Sequence, residues 1–355
     1  MLLVGCGGRA SELNAGSGSG DGSSGASGAT SASAASGASG SGASASNVMC
    51  ADHPATLVQP FWSQPQITEE QVGDVAVIGT NVYFTLYGPS SLWRVPIGGG
   101  QPTMLTSITG EEDAMIATPT TLVIAESSQG MNAEIVGLSI ADGALSTIAP
   151  SNGTVSSLVS DGVDVYFSDN DGTKGVPLTG GSARTLTSQK GTLGLAGSNV
   201  LLADGVGGNI FSIPKTGGGL ATLSTNQPGA RAPITCGADL CWMNAYPCAG
   251  LPAGFACVAG NGEGAIVRMS VGGAPVMLAQ DQLLYAPTAL VFDGSDFFVL
   301  AAGDASPDEG LSRVSASGGA PGSIGMANSI VVTEGCLFAI DYVNGVYSVA
   351  PSYSP

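Results

Sequence analysis

Histidine occurs once in this chain, at His53, and lysine only three times. Nucleophilic catalysis needs a base beside its nucleophile, most often histidine, so hydrolases and lyases that work through histidine pairs are disfavoured. Charged residues of both signs make up only 10%, and nine basic residues face 27 acidic ones, a net charge of −18. That balance offers no footprint for nucleic acid or for anionic lipid headgroups. No apolar run reaches the 18 residues that a membrane-spanning helix needs. A sustained 3.6-residue apolar period is also missing, so helix is nearly excluded beyond a short turn near Glu69 to Gln71. The cysteines contain no C-x2-C pair, and with one histidine a zinc site is not expected.

What is abundant is glycine, 55 residues, arranged in a repeat. From about residue 75 onward the chain alternates short apolar strands with Gly or Asp turns. Aligning Val82, Leu122, Val165, Val200, Leu240, Phe297 and Leu337 gives intervals of 40, 43, 35, 40, 57 and 40 residues. This is the period of four-stranded antiparallel blades, and it predicts an all-β, seven-bladed β-propeller, with six blades as the alternative count. Gly-Gly pairs at Gly99/Gly100, Gly180/Gly181, Gly217/Gly218, Gly272/Gly273 and Gly318/Gly319 keep the same phase, with Asp142-Gly143 in that slot in the second unit. Such pairs supply the positive φ of tight hairpins. The seventh unit runs out of chain after three strands, whereas Pro54 to Pro60 reads like the fourth strands elsewhere. Ala55 to Gln59 is therefore expected to close the ring, removing sheet edges that invite aggregation.

The first residues, MLLVGCGG, place Leu3 to Cys6 in a pattern that resembles the lipobox of bacterial lipoproteins. That resemblance implies cleavage before Cys6 and its lipidation. The segment as given is too short for an export signal, so either the true start lies upstream or the match is chance. Residues 7–47 are almost wholly Gly, Ser and Ala and read as a flexible tether reaching roughly 35 Å. The chain thus divides into a truncated signal remnant (1–6), a tether (7–47) and a propeller domain (48–355). Anchor, tether and β body together look like an extracytoplasmic, outer-membrane lipoprotein facing the periplasm or the cell surface. Cysteine usage agrees with export: Cys50, Cys236, Cys241, Cys248, Cys257 and Cys336 could form three disulfides. Cys236 and Cys241 lie across a short turn, Cys248 and Cys257 bracket one loop, and Cys50 and Cys336 would staple the ring closure.

The second strands YFSD (Tyr166 to Asp169), LLAD (Leu201 to Asp204), CWMN (Cys241 to Asn244) and FAID (Phe338 to Asp341) resemble the YWTD repeat of low-density-lipoprotein-receptor propellers and TolB-like domains. Arg94, Arg268 and Arg313 fall where those repeats often carry arginine. The resemblance implies that Asp169, Asp204 and Asp341 bond between blades, and it departs in number, since those rings have six blades.

Chemistry is sparse. Glu111, Glu112 and Asp113, and likewise Asp308 and Glu309, are expected in surface loops with no apolar wall to raise a pKa. Asp169 and Asp171 faintly suggest calcium, but the EF-hand spacing fails. Loops between second and third strands, and between blades, emerge on one face of a propeller, and about fifteen acids map there. Glu111, Glu112, Asp113, Glu263, Asp304, Asp308 and Glu309, with Tyr246 and Phe255 from the longest insertion, are the candidate binding residues. The competing reading is that loops merely tolerate acids. The expectation is a monomeric, non-enzymatic binding or scaffold module without a cofactor, which meets a protein, glycan or cation through its acidic loop face and a membrane only through a lipid anchor. A carboxylate-based enzyme at the central channel mouth, or a purely structural envelope component, is the alternative.

Overall fold

The computed structural model describes residues 55–58, 72–86, 91–108, 111–127, 133–246, 263–302, 309–333, 336–341 and 345–349. They form seven four-stranded antiparallel sheets arranged as consecutive blades. The first, innermost strands are Val72–Ile78, Glu111–Ala117, Ser157–Ser160, Thr192–Ala196, Arg231–Cys236, Pro287–Phe292 and Ser329–Thr333 in blades 1 to 7. Blade 7 takes its fourth strand from the N-terminal side: Ala55–Val58 pairs antiparallel with Gly345–Val349, Thr56 opposite Tyr347 and Val58 opposite Val346. The sequence-based strand count and the closure are therefore as expected, with Gln59 outside the described residues. One 3-10 turn, Gln282–Leu284, is present among the described residues, between blades 5 and 6.

The core is seven separate interfaces between blades. Each buried cluster joins two neighbours; Ala203, Ile210, Ala230, Trp242, Val267 and Met269 join blades 4 and 5, and Leu57 and Val58 join the cluster between blades 7 and 1. Both faces of a blade are covered, so its second strand reads as a continuous apolar run rather than an alternating one. Asn81–Leu86 shows this, buried from its second residue onward. That is why the second strand marked the repeat so clearly in sequence.

The Gly-Gly turns do more than reverse the chain. Gly180 and Gly181 have φ of 87° and 138°, and Gly318 and Gly319 have 86° and 123°. Each turn also leans on the outer strand of the preceding blade: Gly181 N–H donates to the Ile148 carbonyl at 3.2 Å, and Gly319 N–H to the Leu278 carbonyl at 3.1 Å. A Cβ on Gly318 would stand 2.5 Å from the Leu278 oxygen. Conformation and close approach thus both demand glycine there. Arginines reinforce the same seams. Arg184 Nη2 donates to the Lys215 carbonyl (2.8 Å), just before the next blade's Gly-Gly turn, and also to Asp164 Oδ2 (2.6 Å).

Cys236 and Cys241 are disulfide-bonded, with Cα atoms 5.9 Å apart across the turn between the first two strands of blade 5. Cys336 is also disulfide-bonded. Cys50, Cys248 and Cys257 lie outside the described residues.

Candidate functional site

In every blade the first strand starts, the second ends, the third starts and the fourth ends at one face, termed here the loop face. The hairpin turns of the first pair, and the Gly-Gly turns, occupy the other. This topology sorts the charges. Thirteen acidic residues fall toward the loop-face ends of their strands or in its connections: Asp74, Glu111, Glu112, Asp113, Glu126, Glu134, Asp169, Asp171, Asp204, Glu263, Asp281, Glu309 and Asp341, of which Asp74, Glu126, Asp169 and Asp341 are buried. Against them are three cations, Lys174, Lys190 and Arg231. The turn face holds six carboxylates (Asp142, Asp161, Asp164, Asp239, Asp293 and Asp296) and five cations (Arg94, Arg184, Lys215, Arg268 and Arg313). The turn face is thus nearly neutral. Eight of these eleven charges are ion-paired: Arg184 with Asp164, Lys215 with Asp161, Arg313 with Asp296, and Arg268 at a looser 3.6 Å from Asp239.

Blade 2 is the most acidic part of the loop face. Glu111, Glu112 and Asp113 open its first strand rather than forming a loop, which corrects the sequence-based placement. The physical reason lies in Asp113, whose Oδ2 accepts the Val155 amide of the approach to blade 3 at 3.0 Å, while Oδ1 accepts from Ser127 Oγ at 3.0 Å. A residue spent on the next blade's backbone is held in the strand. Glu126 is buried at the end of the second strand. Glu134 is exposed at the start of the third, bonded by Thr147 Oγ1 at 2.6 Å.

Glu263 opens the third strand of blade 5 opposite Tyr246 and accepts from Gln280 Nε2. Glu309 opens the third strand of blade 6 opposite Ala302. The fold therefore brings Glu111, Glu112, Asp113, Tyr246, Glu263 and Glu309 to one face, spread over blades 2, 5 and 6. Phe255, Asp304 and Asp308 lie outside the described residues, as do Cys6 and residues 7–47.

Asp169 and Asp171 are occupied by protein. Lys174 Nζ lies 2.7 Å from Asp169 Oδ2 and 3.0 Å from Asp171 Oδ2, so an ammonium sits where a calcium ion would be needed. The hydrogen bonds of Lys174 and Asn152 hold the Asp171 carboxyl below its ordinary range. Burial opposes the charge on Lys174, but its bonds to Asp169 and Asp171 outweigh that and raise its pKa. No cluster of three or more metal-ligating side chains occurs among the described residues.

Polar side chains of the first strands bond between blades. Asp74 Oδ2 accepts the Met115 amide (2.9 Å), Asp113 the Val155 amide, Ser157 Oγ the Leu193 amide (2.9 Å) and Thr192 Oγ1 the Ala232 amide (2.9 Å). Ser329 Oγ accepts the Val75 amide at 3.3 Å and so links blade 7 to blade 1. In blade 5 the direction reverses, with Arg231 Nη1 donating to the Pro287 carbonyl of blade 6 at 3.4 Å. Asp169 serves its own blade and the preceding connection, accepting from Lys174 and from the Asn152 amide, while Asp204 closes its own turn through the Val206 and Gly207 amides. The sequence signal for this ring was a polar residue three or four positions ahead of the residue that faces each second-strand marker.

A space of ≈ 60 Å³ inside the ring is walled by the first strands of blades 2 to 6, among them Met115, Ile116, Ser157, Leu158, Ser160, Thr192, Leu195, Ile234 and Thr288. None of the described residues lining it has a titratable side chain.

No family model and no curated protein matches the chain. Solved structures do. Virginiamycin B lyase from Staphylococcus aureus superposes with a TM-score of 0.61 at 11% identity, over 84% of this chain and 98% of that one. Kuenenia stuttgartiensis hydrazine synthase gives 0.59 at 11% identity, over 80% and 96%. A chain of the mitotic checkpoint complex gives 0.59 at 10% identity, over 89% and 98%. At these identities the likeness is one of fold.

Proposed function

We propose that this chain is a non-catalytic binding module whose acidic loop face recognises a cationic patch on a partner. The observation that carries the reading is the asymmetry of charged residues by strand position: thirteen acidic against three basic toward the loop face, six against five toward the other. Tolerance of acids in loops would load both faces, and would not leave the turn face nearly neutral and mostly ion-paired. Fields of one sign over a face raise encounter rates with the opposite charge and select against like-charged partners. The fold gives no preference between the classes, since similar propellers include a lyase, a synthase and a component of a protein assembly. Against a carboxylate enzyme at the channel mouth stand the lining without titratable groups and the commitment of Asp113 to a backbone amide.

The module is carried at the envelope on a lipidated Cys6, with the Gly/Ser/Ala segment as its tether. This part of the proposal rests on the lipobox-like Leu3 to Cys6. Fatty-acid probe labelling of cells expressing the chain from its native start should mark the protein and be abolished by Cys6→Ser; undiminished labelling of that variant would refute the anchor. Partner recognition is tested by capture from envelope extract across a salt series. Screening shortens the reach of exposed charges from about 10 Å at 0.1 M to about 3 Å at 1 M salt. The expected result is a partner released as salt rises; one retained equally at both ends of the series contradicts the acidic-face reading.

A further inference from the structure

Three blades repeat one ion pair, and a fourth keeps only half of it. Blades 5 and 6 open their second strands with Asp239 and Asp296, and each places an arginine on its third strand opposite the residue two positions later: Arg268 faces Cys241, and Arg313 faces Phe298. Arg313 Nη2 lies 2.7 Å from Asp296 Oδ2, and Arg268 Nε 3.6 Å from Asp239 Oδ2. Blade 3 builds the same pair from Asp164 and an arginine of its fourth strand, Arg184. Blade 1 has the arginine, Arg94 facing Tyr83, but its second strand opens with Asn81. The carboxylate is missing where three other blades have one.

No described residue replaces it. Arg94 is half-buried and makes no ion pair among the described residues, and it lacks the bond to the next blade's carbonyl that Arg184 makes to Lys215 and Arg268 makes to Ala316. The two turn-face carboxylates outside ion pairs, Asp142 and Asp293, accept amides of their own turns. Tyr83 is 1% exposed, and its hydroxyl meets no partner at hydrogen-bond geometry. Buried polar groups are rarely left so. Burial raises the pKa of this phenol, and Arg94 alongside opposes the rise. Asn81 and Tyr83 point to the same side of their strand and Arg94 stands opposite Tyr83, so three side chains able to donate share one face of the blade.

Blade 3 shows what such donors hold. Tyr166, also 1% exposed, donates its hydroxyl to Asp161 Oδ2 at 3.1 Å and to Asp164 Oδ2 at 3.4 Å, and Arg184 Nη2 donates to the same Asp164 oxygen at 2.6 Å. One tyrosine and one arginine there share a carboxylate that the chain itself supplies.

We propose that Arg94, with the Tyr83 hydroxyl and the Asn81 amide, forms a carboxylate-binding site at the turn-face side of blade 1, filled from outside the chain by a small carboxylic acid or by an acidic side chain. The guanidinium fork matches a planar carboxylate in two parallel bonds, and a carboxylate is what this place carries in blades 3, 5 and 6. The site stands apart from recognition through the acidic loop face, since it lies toward the opposite face and takes the opposite charge.

The full-length protein is titrated calorimetrically at low salt with acetate, with N-acetyl-aspartamide as an isolated aspartyl side chain, and with uncharged acetamide. Saturable binding of a carboxylate is expected, with acetamide weaker by about tenfold or more, because bonds to an ionised acceptor are about twice as strong as neutral ones. Asn81→Asp supplies the missing partner from within, so it should abolish carboxylate binding without lowering the Tm. Arg94→Met should abolish it too, and Tyr83→Phe, which keeps the ring, should weaken it about threefold to tenfold. Tighter binding of the aspartyl compound supports the site with a partner's side chain as its occupant, and tighter binding of acetate supports it with a free acid. No saturable binding of either carboxylate, acetamide binding as tightly, or carboxylate binding undiminished in Asn81→Asp or in Arg94→Met overturns the proposal.

Discussion

Replacing Leu57 and Val58 together by aspartate is expected to abolish the folded ring. Both side chains are buried in the interface between blades 7 and 1, beside Val346, Phe338 and Val95. Loss of two such side chains costs about 5 kcal/mol or more, and forcing charge into their place adds to it. A domain holds only about 5–15 kcal/mol in total. Once the strand leaves, Gly345–Val349 keeps no partner on that side, and an open apolar edge recruits other chains. The measurement is thermal unfolding with size-exclusion chromatography: the double variant should aggregate or lose its cooperative transition. Thr56→Asp, at the exposed position of the same strand, should leave both unchanged.

Trp242→Ala is expected to be the most damaging single truncation in the interior. Trp242 is fully buried in the smallest of the seven interfaces, where six residues join blades 4 and 5. Its indole Nε1 donates to Gln227 Oε1 at 3.1 Å, the same oxygen that accepts from Asn244 Nδ2 at 2.9 Å. Truncation removes the largest side chain of that contact and one of the two bonds to Gln227 Oε1, at about 3–5 kcal/mol. The interface has little room to relax, because the inner strands already touch: a Cβ on Gly194 would stand 1.7 Å from the Pro233 carbonyl oxygen. The Tm should fall by roughly 6 to 10 °C. A fall of a degree or two would mean that blades 4 and 5 are held mainly by something other than this cluster.

These two residues were legible to different degrees. Ala55–Val58 was visible in the sequence because a repeat that ends one strand short creates a demand, and a segment resembling the other fourth strands lay before blade 1. Trp242 sat in a second strand, where apolar runs are continuous, so its burial was readable but not its interface. The Gly-Gly turns were read as hairpins on the strength of positive φ, yet their docking on the preceding blade depends on a contact some thirty or more residues away, as between Gly181 and Ile148. The same non-locality hid the polar ring. Asp74, Asp113, Ser157 and Thr192 share a place in three dimensions but not a residue type, because an acceptor for one amide can be a carboxylate or a hydroxyl. The repeated second-strand aspartates drew attention for the opposite reason: they share a type without sharing a role, as Asp169 and Asp204 show. Of the candidate acids, Glu111, Glu112, Asp113, Glu263 and Glu309 fall toward the loop face, as topology alone predicts, while Glu111 to Asp113 were put in a loop because charge was taken as a loop signal.

The claim that the loop face is the working face is tested most directly by neutralising each face in turn. Glu134→Gln, Asp204→Asn and Glu263→Gln combined remove three loop-face charges, and Asp142→Asn, Asp239→Asn and Asp293→Asn combined remove three from the turn face. Affinity for the captured partner is then measured at low salt. With exposed charge pairs contributing about 0.5 kcal/mol each, the loop-face triple should bind about tenfold more weakly and lose much of its salt dependence, while the turn-face triple binds as the parent does. Equal weakening by the two triples, or weakening by the turn-face triple alone, would contradict it.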